Sequence, residues 1–568
     1  MLIRWAYLKR VLAGAIFGHY MAHLLYFLNP QVDITAARLA LVTVIYGVTC
    51  GFLFGSILWG LRALRVRLFG RAVQWRTDNP VRHAETGGGD GTGAGDYRAH
   101  GFGFVVFAAF ISSFIYWTHL EFLRIYLPVG AVRILSKATN IITVTAFVLL
   151  LLWLVERNAG RRRSRFVFVT GFVLIAISSV FLYQRRESYR TDTRSVVVAN
   201  IGTLAGHRPV IVVAIRNLPF DWIVQMRGEG TVPFFEQTTE REFFTRLEPF
   251  ATTSPKALWA SLATGKLPYR HGVTGRFSYR TPLNRADPFL LVPNGVGFRA
   301  WGLIPPVERI SAPLPAGNSL PLWSLFERVG LRASVVGWPQ SAARGASRVI
   351  TDETLRASSA AAHVPADAAR RFSATGSARL RILEGLAADR AALANIDGSF
   401  ALSVVALEGF SEAQRAMHIF LNELPERTSG RGDALRSYVQ QLDRELATLA
   451  RTHPNHLIVI CSPSAVTPPE VQASAWRIVI ERLDQDDPGA DDGFVLVTGP
   501  GATHKPNPAA ARVTDVVPTV LFAAGLPVGR DMDGAVLTDV FTEDFLRRNS
   551  LSAIQTYEAT RVMVRRGG

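Results

Sequence analysis

The stretch Phe250 to Val273, FATTSPKALWASLATGKLPYRHGV, gathers residue types that do chemistry: the adjacent hydroxyls Thr252, Thr253 and Ser254, then Lys266 and His271. A hydroxyl is a weak nucleophile and needs a neighbouring base or a metal ion before it attacks anything. The same hydroxyls, standing directly before Pro255, also suit the start of a helix, where a Ser or Thr caps the first turn and proline takes the first helical position. Thr253 and Ser254 are therefore either a nucleophile position or a helix cap. The choice rests on what the rest of the chain brings to them.

The chain has 568 residues, 49% of them hydrophobic, and a mean hydropathy of +0.19. That is too apolar for a soluble enzyme and too long for one domain. The apolar excess precedes Tyr183, and the composition from about Thr193 onward is that of an ordinary globular domain with its own core. Five runs, about 11–28, 39–61, 102–123, 134–155 and 166–183, are long enough to span a bilayer, so residues 1–190 are expected to form an all-α transmembrane domain. The first run follows Arg4, Lys9 and Arg10 but lacks a small-residue cleavage site, which fits a retained helix better than a signal peptide. Residues 72–100 are expected as a flexible cytoplasmic loop. Their glycine-rich core, ETGGGDGTGAGD, lacks the Lys-Ser/Thr of a phosphate loop and follows no strand. His19, His23, His119 and Glu121 lie in or near spans and could mark a polar path, although imidazoles facing a bundle neighbour are the plainer reading.

The net charge of +17 raises nucleic acid as a partner. Against it, Arg62, Arg65, Arg67, Arg71, Arg161, Arg162, Arg163 and Arg165 flank apolar runs, a membrane-topology pattern, and no basic stripe is interleaved with aromatics. The expected partners are the membrane and no nucleic acid. With the amino terminus in the cytoplasm, both arginine-rich segments fall on one side and five crossings deliver the carboxy-terminal domain to the extracytoplasmic side. Arg185, Arg186 and Arg190, just after the last run, go against this pattern. Cys50 and Cys461 cannot plausibly pair, so cysteine usage is silent on the compartment.

In the second half, β-branched runs alternate with helical stretches. Strands are expected at Val210 to Ile215, Ala333 to Trp338, Phe400 to Leu407, His456 to Cys461 and Gly493 to Thr498. Helices are expected at Leu320 to Val329, Ala378 to Ala391, Leu435 to Arg451 and Thr514 to Ala524. This is the signature of an α/β domain with a mainly parallel central sheet and flanking helices, here over 195–545, followed by a tail over 546–568. The ligand crevice of such a sheet lies beyond the carboxyl ends of its strands.

Four segments, SPKALWASLATGKLPYRHGV, SLPLWSLFERVGLRASVVGWP, DDGFVLVTGPG and TDVVPTVLFAAGLPVGRDMDG, make the region from about Val210 to Phe541 resemble the alkaline phosphatase superfamily, in its type I phosphodiesterase and nucleotide pyrophosphatase branch. The resemblance implies an alkaline-phosphatase-like fold and a pair of divalent metals, usually zinc, around a Thr or Ser nucleophile. Such a pair neutralises phosphate oxygens and activates the hydroxyl. The ligands implied are carboxylates and imidazoles placed after the strands. At those positions this chain has Arg216 after VIVVAI, Ser411 and Arg415 in EGFSEAQR, and Ser462 and Pro463 (then Ser464) after LIVIC. No imidazole precedes GFVLVTG, and His418, Asp221, Glu412 and the run Asp484 to Asp492 make no metal-binding pair.

No metal cofactor is therefore expected, and Thr253 or Ser254 becomes a vestigial nucleophile position. Arg216 and Arg415, with Lys266 nearby, could instead hold a phosphate, sulfate or carboxylate, or be paired with Glu408, Glu412 or Asp221. The expectation is a membrane-anchored pseudoenzyme of the cell envelope that binds, scaffolds or regulates, with an anionic envelope ligand or a membrane-protein partner. The competing expectation is an active phosphodiesterase, phosphotransferase or sulfatase-like hydrolase using zinc or manganese at an atypical site. One span would suffice as an anchor, so five leave a purpose to find.

Overall fold

A computed structural model describes residues 2–77, 100–158, 164–189, 199–201, 207–250, 255–273, 278–281, 288–292, 307–310, 319–338, 345–351, 353–355, 376–417, 431–463, 465–466, 490–558 and 562–564. The chain divides into two compact units, Met1–Thr193 with Phe277–Ser311, and Arg194–Arg276 with Ala312–Gly568.

The first unit is built on five helices: α1 (Leu2–Leu28), α2 (Ala36–Thr77), α3 (His100–Leu123), α4 (Val129–Asn158) and α5 (Ser164–Glu187). Each contains a segment long and apolar enough to cross a membrane. A helix suits such a segment because it satisfies every backbone polar group internally where no water can. Helix α2 runs on to Thr77, into the stretch expected as loop, because GLRALRVRLFGRAVQWRT contains no breaker strong enough to stop it; residues 78–99 lie outside the described residues. Glycine lets α1 and α2 approach closely, since a Cβ at Gly18 would collide with the Tyr46 carbonyl.

Polar side chains stitch the helices. Tyr116 Oη donates to the Tyr20 carbonyl at 2.9 Å, Tyr20 Oη bonds Ser178 Oγ at 3.0 Å, and His19 Nε2 bonds Ser179 Oγ at 2.6 Å. Arg186 is buried and donates to the carbonyls of Tyr26 (2.8 Å), Asn29 (3.3 Å), Pro30 (3.0 Å) and Val32 (2.7 Å). A cation at a helix carboxyl end satisfies the orphan carbonyls there. The turn between α1 and α2 thus accounts for the position of Arg186, one of the three arginines that go against the charge pattern.

Residues 277–311 were expected inside the soluble domain. They belong instead to this first unit, because Phe289 and Leu291 are buried in its core. A short antiparallel pair, Ser278–Arg280 with Glu308–Ile310, flanks that segment.

The second unit centres on an eight-stranded sheet. In chain order its strands are β1 (Val210–Ile215), β2 (Phe243–Glu248), β3 (Ala333–Val336), β4 (Arg348–Ile350), β5 (Leu402–Leu407), β6 (Leu457–Ser462), β7 (Gly493–Thr498) and β8 (Ala511–Arg512). Their order across the sheet is β8-β2-β7-β6-β1-β5-β3-β4. Strands β6, β1, β5, β3 and β4 are mutually parallel, whereas β7 runs antiparallel to both β6 and β2. The central strands are buried on both faces, as continuous runs such as VIVVAI require.

Helices α6 (Phe220–Gly228), α7 (Pro233–Arg241), α8 (Pro255–Thr264), α9 (Pro268–His271), α10 (Leu322–Arg328), α11 (Gly376–Ala394), α12 (Gly409–Met417), α13 (Arg431–Thr452), α14 (Val516–Ala523) and α15 (Glu543–Arg548) surround it. Of the residues expected as a carboxy-terminal tail, 546–558 and 562–564 are part of the fold. Tyr557 is buried with its hydroxyl on the Pro527 carbonyl (2.6 Å), Ala553–Ile554 pairs with Val528–Gly529, and Val562–Val564 pairs with Ala199–Ile201. An apolar ring with a satisfied hydroxyl is anchored as firmly as any core residue.

Candidate functional site

Arg216, Ser411, Arg415 and Ser462 lie at or just beyond the carboxyl ends of β1, β5 and β6, each in a hydrogen bond or ion pair. Register does the first part: β1 pairs with both β5 and β6, so their final residues lie side by side. Asn217 then turns the chain with φ of +63°, a left-handed conformation that Asn tolerates better than most residues. The turn aims its Nδ2 at Ser411 Oγ (2.9 Å), and Arg415, one helical turn beyond Ser411 on α12, donates to the same oxygen (3.2 Å). Gln414 Nε2 donates to the Asn217 carbonyl (3.3 Å), and Ser462 Oγ accepts from the Leu218 amide (3.1 Å). Arg216 Nη1 pairs with Glu408 Oε2 at 2.7 Å. Ser411 and Ser462 are fully buried, whereas Arg415 is exposed.

These residues do not fit a metal. A guanidinium has no lone pair to offer, Ser411 accepts from two donors, Ser462 holds a backbone amide, and Pro463 brings no side-chain donor. Among the described residues no group of three or more His, Cys, Asp or Glu is arranged to hold an ion. Asp221 and Asp492, considered as substitutes, both pair with Arg246 (2.7 and 3.2 Å). Thr253, Ser254, His418, Ser464 and residues 484–489 lie outside the described residues; α8 begins at Pro255.

The rest of the signature stretch forms a latch. Lys266, expected among the anion-binding cations, is buried with its Nζ at 2.5 Å from both Asp531 and Glu558, so its charge is spent inside the protein. Gly265, with φ of +68°, accepts the Asp533 amide at its carbonyl (3.0 Å), and the Asp533 carboxylate takes the Leu267 amide (2.8 Å), the Tyr269 hydroxyl (2.7 Å) and Arg270 Nε (2.9 Å). His271 accepts the Val273 amide at Nδ1 (3.1 Å) and bonds Ser261 Oγ at Nε2 (2.9 Å), which makes Nε2 the protonated nitrogen. Burial, reinforced by Lys266, pushes its pKa down to about 3, so it is neutral and fully occupied. Neither ring nitrogen is left to ligate or to act as a base.

A second buried network lies behind α12. Asp389 accepts the Gly409 amide (3.1 Å) and the Tyr438 hydroxyl (2.7 Å), and burial raises its pKa to about 7, opposed by those two bonds. A Cβ at Gly409 would collide with Tyr438 and the Gly385 carbonyl, so glycine is required where α12 begins. Sequence reading missed Asp389 and Tyr438. The Glu-Gly pair after β5 was their one signal, a glycine where something must come close.

The second unit thus has a mixed α/β sheet, mainly parallel, with polar residues at the carboxyl ends of its central strands. Residues 210–460 match the family model of the type I phosphodiesterases and nucleotide pyrophosphatases, so this part of the second unit is phosphodiesterase-like. No curated protein matches the chain. Similar solved structures include murine ectonucleotide pyrophosphatase/phosphodiesterase 5, at 11% identity and TM-score 0.34 over 56% of this chain and 95% of that one. A 2-O GAG sulfatase is similar at 14% identity and TM-score 0.37 (61% and 75% covered). An alkaline phosphatase superfamily protein from Vibrio parahaemolyticus is similar at 12% identity and TM-score 0.34 (62% and 76% covered).

Proposed function

We propose that this is a membrane-embedded, non-catalytic member of the phosphodiesterase-like group, acting as a binding, scaffold or regulatory component at a cell envelope. One observation carries the reading: the strand-end groups that would have to face a metal or substrate are donors and acceptors engaged with each other. Arg216 is neutralised by Glu408, Ser411 bridges Asn217 and Arg415, and Ser462 holds the backbone of Leu218. A hydroxyl beside such a group meets neither a Lewis acid nor a free base. The exposed guanidinium of Arg415 is the group best placed to meet an anionic ligand, a phosphate, sulfate or carboxylate, from the envelope. The arginine pattern favours an amino terminus in the cytoplasm and the phosphodiesterase-like unit on the extracytoplasmic side.

The deciding experiment uses the purified full chain. Metal content is measured together with hydrolysis of a generic phosphodiester and a generic sulfate ester. The expected result is sub-stoichiometric metal and no turnover above the rate without protein. Stoichiometric zinc or manganese, with turnover abolished by Thr253→Ala or Ser254→Ala, would overturn the reading in favour of a hydrolase with an atypical site.

A further inference from the structure

The first unit contains an internal docking site, and its occupant is a segment far along the chain. Asn29 stands where α1 ends. Its Oδ1 accepts the amides of Leu290 (2.7 Å) and Leu291 (3.0 Å), and its Nδ2 donates to the carbonyls of Leu291 (2.5 Å) and Leu25 (2.8 Å). Gln31 Nε2 adds a bond to the Pro288 carbonyl (3.1 Å). All four bonding positions of the Asn29 amide are thereby used, three of them on residues 290–291, and Asn29 is fully buried. Phe289 and Leu291 are buried beside it, Phe289 edge-on to Tyr26 at 5.9 Å between ring centroids. Arg186 closes the other side of the turn through four backbone carbonyls. A surface turn needs none of this. A turn built to receive an extended peptide needs paired amide bonds, apolar seats for alternate side chains and a rigid back, the same elements used in strand recognition.

We propose that the α1–α2 turn is a receptor for residues 288–292, so that the insertion within the phosphodiesterase-like region is strapped to the membrane helices as a second attachment besides α5. This gives the first two helices a purpose that a single-span anchor could not serve. It holds whether or not the strand-end group binds an anion.

The test is amide hydrogen exchange on the full chain in nanodiscs. The Leu290 and Leu291 amides should be strongly protected, and Asn29→Ala should speed their exchange roughly tenfold or more, while peptides from α3 and α4 keep their protection. Exchange of these two amides at the rate of an unstructured peptide in the wild type, or unchanged exchange in Asn29→Ala, would overturn the proposal. An independent arm leaves Asn29 in place. Gln31→Cys and Pro288→Cys are joined by a short bifunctional cross-linker, and the chain is then cut at a protease site inserted within residues 202–206. Docking predicts that the two fragments stay joined; fragments that separate would overturn it.

Discussion

Two parts of the phosphodiesterase-like unit, the latch and the strand ends, use their polar residues differently. In the latch, the Thr264-Gly265-Lys266 and Asp-Met-Asp-Gly segments are intact, and each charged member is used to hold the fold: Lys266 on Asp531 and Glu558, Asp533 on Leu267, Tyr269 and Arg270. At the strand ends, Arg216 pairs with Glu408, and Asn217 and Arg415 both bond Ser411, an arrangement that offers no metal ligand set. The difference teaches that a family signature mixes residues that build the domain with residues that react in it. On the proposed reading, only the first kind has been kept here. If so, substitutions in the latch act mainly on stability, and those at the strand ends mainly on binding.

The largest effect is expected at Lys266. Lys266→Met leaves two carboxylates facing each other with no cation between them, and breaking a buried ion pair in this way costs about 3–5 kcal/mol. Denaturant unfolding of the full chain should show that loss. A change near zero would mean that the latch is ornamental and the contrast false.

Next come two pH effects of opposite sign, one from the latch and one from the buried network behind α12. His271 is held neutral with a pKa of about 3. A histidine depressed below its unfolded value of ~6.5 favours the fold above that value, and the contribution is lost as the pH falls toward 3. The wild type should lose stability below about pH 6.5, and His271→Gln should flatten that slope by on the order of a few kcal/mol over the range. Asp389 is the reverse. Its pKa of about 7 lies above the unfolded ~3.9, so its contribution is fully present at low pH and is lost as the pH rises through about 7. Asp389→Asn should therefore gain stability on the wild type between pH 5 and pH 8. Thermal melts of both variants across that range check the two signs together, and matching slopes would break the contrast.

How much of this could be read in advance depended on distance along the chain. The central strands were visible because VIVVAI and LIVIC are β-branched runs buried on both faces, a pattern that only a covered sheet explains. The direction of β7 was not, since GFVLVT looks the same whichever way it runs. Strand β2, FFTRLE, alternates buried with more exposed positions and lies next to two-residue β8, so it offers a weaker signal than the centre. The strand-end positions could be named in advance because the ligand crevice of such a sheet lies beyond the carboxyl ends of its strands. The latch was half visible: the motifs stand in the sequence, but the partners of Lys266 lie 265 and 292 residues away, and no local pattern links them. The docked segment 288–292 was hidden for the same reason, its partner Asn29 being more than two hundred residues earlier.

The smallest effect on stability, and the sharpest on function, is expected at Arg415. Its guanidinium is exposed and, among the described residues, makes one hydrogen bond, to a serine that keeps Asn217 as a second partner. Arg415→Ala should therefore shift unfolding by no more than about 0.5 kcal/mol, the usual range for surface substitutions. The same change removes a strand-end cation that is paired with no carboxylate among the described residues, whereas Arg216 is already paired with Glu408. Titration with inorganic phosphate or sulfate, followed by calorimetry, should show binding in the wild type that Arg415→Ala weakens severalfold. Arg216→Ala should lower stability more than affinity, because it strands Glu408 half-buried. Equal anion affinity in the wild type and Arg415→Ala would remove anion recognition from the strand ends and leave them as a structural knot.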